Sequence, residues 1–180
     1  MHRFTLSALF LLSLVCAPSS GWADSRAEIE EASREALERL LQHAPEAASL
    51  LQRAAGVLVF PDLVKVGFGA GGEYGEGALF VDDEAVAYYA TAGASFGLQL
   101  GAQYKSEVIL FMELQALNEF RNSRGWEAGV DAGVVLADVG GGESVDKLTA
   151  QDAVVAIVFS NTGLMYHLTL EGSKISRIAR

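Results

Sequence analysis

From Gly56 onward the chain changes its period. Apolar residues that recur at helical spacing give way to residues that recur every second position. Phe96, Leu98, Leu100, Ala102 and Tyr104 alternate with Ser95, Gly97, Gln99, Gly101 and Gln103. Trp126, Ala128, Val130, Ala132 and Val134 alternate with Glu127, Gly129, Asp131 and Gly133, and Tyr166, Leu168 and Leu170 repeat the pattern. A period of two is the mark of half-buried antiparallel strands. Glycine pairs such as Gly97 with Gly101, and Gly129 with Gly133, leave flat tracks on those strands. Such tracks suit strong curvature, close packing or a flat ligand.

The strand plan follows. Residues 56–60 form a short apolar strand that Pro61 ends. Asp82-Asp83-Glu84 and Asn161-Thr162-Gly163 are hairpin turns, and Gly140-Gly141-Gly142 is a loop. One helix, over residues 112–122, interrupts the strands with Leu114, Leu117 and Phe120 on one face.

Ahead of the strands, residues 25–54 are helical. Ser25 and Glu28 are spaced as a capping box. Ala36, Leu37, Leu40, Leu41 and Ala44 line one side. Pro45 breaks the run, and Ala47, Leu50, Leu51 and Ala54 carry a second piece. The fold class is α+β, with leading helices packed on strongly curved antiparallel sheet and one further short helix between strands.

The first 23 residues have the order of a secretory signal. Met1-His2-Arg3 is basic, residues 4–17 are mostly apolar, and Gly21-Trp22-Ala23 ends in small residues suited to cleavage. The apolar run is shorter than the roughly 20 residues of a spanning helix. This gives three parts: a signal at 1–23, a helical segment at 24–54, and a β-rich domain at 55–180 that forms one unit with the helices. The expected location is periplasmic or secreted. Lipid attachment at Cys16, the only cysteine, is the alternative. Cleavage after Ala23 leaves no cysteine, hence no disulfide and no thiol chemistry. It also leaves 12 basic against 23 acidic residues, a formal charge of −11. That surface repels nucleic acid.

Two motif matches invite an enzyme reading, and neither has its context. Residues 67–72, GFGAGG, fit the dinucleotide fingerprint, which needs a helix starting just behind the glycines to hold the pyrophosphate. Gly75 and Gly77 oppose that helix, and Glu73 and Glu76 would put negative charge beside the phosphates. Residues 93–97, GASFG, fit a nucleophile elbow, but Ser95 lies inside an alternating run and not at a strand–helix corner. His43 and His167 sit on different elements, and Asp82-Asp83-Glu84 lacks calcium-loop spacing. No catalytic set, metal site or cofactor is expected. Arg121 and Arg124 suit a helix C-terminus, while Lys174, Arg177 and Arg180 form a basic stretch near the end of an acidic protein.

The segments GVLVFPDLVKVGFGAGGEYGEGALFV, YYATAGASFGLQLGAQYKSEVILFM, LNEFRNSRGWEAGVDAGV and IVFSNTGLMYHLTLEGSKISRI resemble the SYLF domain, also called the Las-seventeen-binding or actin-regulator domain. The resemblance spans about residues 54–178. It implies a non-catalytic binding module: eukaryotic members bind phosphoinositides and other lipids, some bind actin, and bacterial members are exported, often as lipoproteins, and bind lipid or act at the envelope. The leading helix here carries Glu28, Glu30, Glu31, Glu35 and Glu38 against Arg26, Arg34 and Arg39. An acidic helix is a poor phosphoinositide hook, so that role is not carried over. Export makes actin an unlikely partner.

The leading expectation is an exported lipid-binding module of the bacterial envelope that meets lipid or a membrane surface. Gly67, Phe68, Gly69, Gly71 and Gly72 are the candidate lipid contacts, with Lys174 and Arg177 for headgroups. The second reading is a structural or protein-interaction module holding an envelope protein. An outer-membrane β-barrel is the third, and the charged helix at 25–54 argues against it.

Overall fold

The computed structural model describes residues 24–127, 131, 134–138, 152–159 and 173–180. The expected signal at 1–23 with Cys16, the expected loop at 140–142, the expected turn at 161–163, the expected strand around 166–170 with His167, and Gly129 and Gly133 lie outside them.

Two helices lead. Helix α1 spans Arg26–His43 and α2 spans Ala47–Leu51. The capping box forms: the Ser25 hydroxyl accepts from the Glu28 N–H at 3.3 Å, and the Glu28 carboxylate accepts from the Ser25 N–H at 2.7 Å. These bonds hold the Glu28 carboxyl below its ordinary range. The α1 backbone ends at Ala44 just before Pro45, and the chain restarts at Ala47.

Two very long strands follow. Strand β1 covers Gly56–Val81 and β2 covers Glu84–Phe111. They pair antiparallel along their whole length. Asp82 and Asp83 join them with φ of 50° and 65°. Positive φ at both central residues is the hairpin pattern that follows strand twist, and aspartate tolerates it. Pro61 does not end β1. It sits in a bulge, where Pro61 and Asp62 together oppose Ser106 alone, between the pairs Phe60–Glu107 and Leu63–Lys105. A bulge needs no ladder N–H from its extra residue, so proline fits there. The Pro61 carbonyl is used instead by the Ser106 hydroxyl, at 2.6 Å.

The hairpin folds back on itself. Leu63 is ten residues before Glu73 on β1, roughly 33 Å if the strand were straight. Yet Lys105, the cross-strand partner of Leu63, touches Glu73 at 2.9 Å. The bend therefore falls between Leu63 and Glu73, where Gly67 faces Gly101 and Gly69 faces Gly97 across the ladder. A register shift between Phe68 and Gly69 leaves two extra residues on β2 at this point. The two arms of β1 then cross closely. A Cβ at Gly75 would lie 2.8 Å from the Asp62 carbonyl oxygen, and one at Gly77 would collide with the Val59 carbonyl. Gly77→Ala is expected to cost about 1–3 kcal/mol, because fixed backbone must move to admit the methyl group. A urea-unfolding midpoint equal to that of the parent protein would refute the crossing.

Helix α3 spans Leu114–Asn122. Leu117 and Phe120 are buried as the spacing predicts, but Leu114 opens the helix and stays exposed. Short strands complete the sheet: β3 Trp126–Glu127, β4 Val134–Asp138, β5 Val154–Phe159 and β6 Ser173–Ile178. The alternation after Trp126 does not continue as one strand through Val134. Asp131 closes a turn, its carboxylate accepting from the Glu127 N–H at 2.6 Å and its own N–H donating to the Glu127 carbonyl. Aspartate offers backbone this alternative to a ladder. Strands β5 and β6 both lie antiparallel to β2, while β4 pairs with β5 in parallel. The 15 residues between β4 and β5 leave room for the crossover a parallel pair requires.

The strongly curled sheet carries a core on each face, which makes the architecture α+β. Ile29, Ala36, Leu40 and Leu50 of α1 and α2 pack on Val59, Val108, Leu110, Val155 and Ile157. On the other face Leu117 and Phe120 of α3 meet Phe60, Ile109, Phe111, Tyr89 and Trp126. The Phe120 ring lies 4.7 Å from Tyr89, 4.8 Å from Phe111 and 5.6 Å from Trp126. Strand β5 is buried on both sides, which explains its unbroken apolar run VVAIVF.

Candidate functional site

The residues proposed from sequence do not form one cluster. Gly67, Phe68, Gly69, Gly71 and Gly72 lie in the middle of β1, at and beyond the bend of the hairpin. Strand β1 runs on from Gly72 to Val81, so no helix begins behind the glycines, and Ser95 lies within β2 opposite Gly71. Neither the phosphate turn nor the nucleophile corner is built.

Lys174 and Arg177 are three apart on β6, a regular strand. Alternation therefore sends them to opposite faces of the sheet. Arg177 is opposite Tyr89, on the face that α3 covers. Burial pushes the Tyr89 hydroxyl up, and the nearby charges of Arg177 and then Arg121 oppose that shift. Lys174 pairs with Ala92 and Glu127, and its side chain passes over Gly125. Gly125 has φ of 149°, so a side chain there would be strained and would push the end of the Lys174 chain aside. Ala92 is two residues from Ala94, the partner of Gly72, whereas Tyr89 is five away. Lys174 thus stands near the glycine run, and Arg177 is roughly 17 Å along the strand from it.

Arg177 belongs to a different feature. A depression of about 550 Å³ is lined by Arg26, residues 85–88 and residues 177–180. Arg26 donates to the Arg180 carbonyl and lies 5.7 Å from the Tyr88 ring centre. Arg180 pairs with Glu76, and the Tyr74 hydroxyl donates to the same carboxylate at 2.7 Å. That contact raises both the Tyr74 and the Arg180 pKa. Tyr88 donates to Glu30. Two of the three guanidiniums are thereby held by the protein. Arg177 makes no ion pair among the described residues. Val86, the extra residue of a bulge between Leu79 and Phe80, is 41% exposed at the same depression.

A second feature is more apolar. A groove of about 480 Å³ opens between the helices and the first hairpin. Leu37 and Leu41 come from α1, Leu51 from α2, and Val57 and Phe80 from the two ends of β1. Their helical and strand periods turn them toward one gap that α1 and α2 do not close. Arg34, Asp82 and Asp83 edge it. The Arg34 guanidinium lies 5.0 Å over the Phe80 ring and donates to the Asp83 carbonyl at 3.0 Å. Sequence reading missed this groove because its lining is drawn from four separate segments, none with a motif.

Among the described residues no three His, Cys, Asp or Glu side chains assemble as a metal site, and no helix is long and apolar enough to cross a membrane. No curated protein matches the chain. Residues 92–179, from the middle of β2 through β6, match the family model described as Ysc84, Las17-binding protein actin regulator. That stretch contains most of β2, α3 and the strands laid against β2, and its match agrees with the resemblance to the SYLF domain carried by the sequence.

Proposed function

We propose that the protein is a non-catalytic lipid-binding module of the bacterial envelope, exported by the segment at 1–23. The apolar groove carries the reading. It offers half-buried leucines and Val57, backed by the buried Phe80, to a small molecule, with a volume within the roughly 300–1,000 Å³ typical of ligand sites. Each buried methylene of an acyl chain contributes about 0.8 kcal/mol, so a single chain lying along this lining is held well. Every lining residue falls between 34 and 83, ahead of the family match, so the groove is argued from this chain's own packing. The depression at Arg177 and Val86 supplies a second contact, one free cation beside one exposed apolar side chain, suited to an anionic membrane surface.

Native mass spectrometry of the protein purified from its own envelope is expected to show a co-purifying lipid. Co-sedimentation with neutral and with anionic liposomes is expected to give binding that Arg177→Glu weakens on the anionic vesicles alone. No lipid in either experiment, at low and at moderate salt, removes this reading and leaves a protein partner as the ligand. Export is checked separately, by N-terminal sequencing of the protein recovered from the envelope fraction, which is expected to begin at Asp24.

A further inference from the structure

We infer that the groove selects a single-chain amphiphile with a zwitterionic phosphate–ammonium headgroup. The inference rests on the groove being a lipid site and adds which lipid it takes. Its mouth presents three charges side by side that do not neutralise one another. Arg34 spends a donor on the Asp83 backbone carbonyl, not on a carboxylate. Neither the Asp82 nor the Asp83 carboxylate makes an ion pair among the described residues. The positive-φ turn holds both aspartates at the rim, and the contact with the Phe80 ring holds the guanidinium there. A purely anionic headgroup meets one cation and two anions and is repelled overall. A purely cationic one is opposed by Arg34. A headgroup with a phosphate near Arg34 and an ammonium near Asp82 and Asp83 satisfies all three, and guanidinium forks match phosphate oxygens. The groove volume of about 480 Å³ limits the apolar part to one chain.

The test is titration calorimetry of the full protein with lysophosphatidylethanolamine and lysophosphatidylglycerol of the same acyl chain, each below its micelle threshold. The ethanolamine lipid is expected to bind about tenfold tighter, a difference of about 1.4 kcal/mol. Asp82→Asn with Asp83→Asn removes both charges while keeping residues that accept positive φ. That variant is expected to lose the preference and to bind the glycerol lipid about tenfold better than the parent. Leu41→Trp fills the groove and is expected to abolish binding of both, with circular dichroism reporting that each variant is folded. Equal binding of the two lipids by the parent, or a preference that survives in the asparagine variant, overturns the headgroup assignment while the groove remains a lipid site. Binding that survives Leu41→Trp overturns it by placing the ligand elsewhere. Failure of both lipids to bind overturns it together with the lipid reading.

Discussion

Lys105→Met is expected to remove about 3–5 kcal/mol of stability, the usual cost of breaking a buried ion pair from one side. Lys105 is 4% exposed, and its ammonium lies 2.9 Å from the Glu73 carboxylate, which is 9% exposed. Two residues on, Glu107 shares the same face of β2 and is as buried as Lys105. One cation therefore serves two carboxylates inside the fold of the hairpin. Methionine keeps most of the volume and leaves the nearly buried Glu73 carboxyl without its cation. The loss is read from urea unfolding at pH 7. Adding Glu73→Gln and Glu107→Gln to the same chain is expected to return most of it, since a wholly neutral cluster carries no desolvated charge. A loss under about 1 kcal/mol in the single variant, the range of surface pairs, would mean that the arms of the hairpin do not close over Lys105.

This cluster shows what the sequence could and could not reveal. The helix start at Ser25, the break at Pro45, the turn at Asp82-Asp83 and the strand character of both glycine motifs were legible, because each is a local effect of caps, rings or φ. Tyr104-Lys105-Ser106-Glu107 reads locally as a strand with polar positions meeting water. Tyr104 does stay exposed, but the return of the hairpin buries Lys105, Ser106 and Glu107, and that return shows only in contacts such as Lys105 with Glu73, about thirty positions apart. Pro61 misled for a related reason. Its ring does forbid a ladder donor, but a bulge absorbs the defect without ending the strand. The turn at Asp131 was hidden by an alternation that Asp131 itself interrupts. Lys174 and Arg177 looked like one basic stretch because spacing in sequence conceals the face on which a strand residue points. The groove was the least legible feature. Leu37, Leu41 and Leu51 looked like ordinary core positions, and only the placement of the helices against the hairpin leaves them half covered.

Glu107 turns the same burial into a dependence on pH. Desolvation, set against the pull of Lys105 and the push of Glu73, raises its carboxyl from 4.5 to about 7. A carboxyl with a raised pKa in the folded state binds its proton more tightly there than in the unfolded chain. Its contribution to stability is thus fully present below about pH 4.5 and is lost progressively as pH rises through about 7. At about 1.4 kcal/mol per pH unit across that window, the loss is about 3 kcal/mol. Glu107→Gln is neutral at every pH and escapes it. The variant and the parent are expected to match in stability at pH 4.5. They separate steadily above it, until the glutamine form is the more stable by about 3 kcal/mol at pH 8. The measurement is a series of urea-unfolding curves from pH 4.5 to 8 on both proteins, read as the difference between them, so that titration of the exposed carboxylates cancels. A difference that stays constant across the series would mean that Glu107 is charged and well solvated throughout, and the arms of β1 and β2 would then have to lie open over it. Because the separation reports the proton on Glu107 alone, the same series run on Lys105→Met with and without Glu107→Gln tests the coupling. Removing the cation withdraws the pull that favours the carboxylate, so the separation is expected to persist to a higher pH in that background.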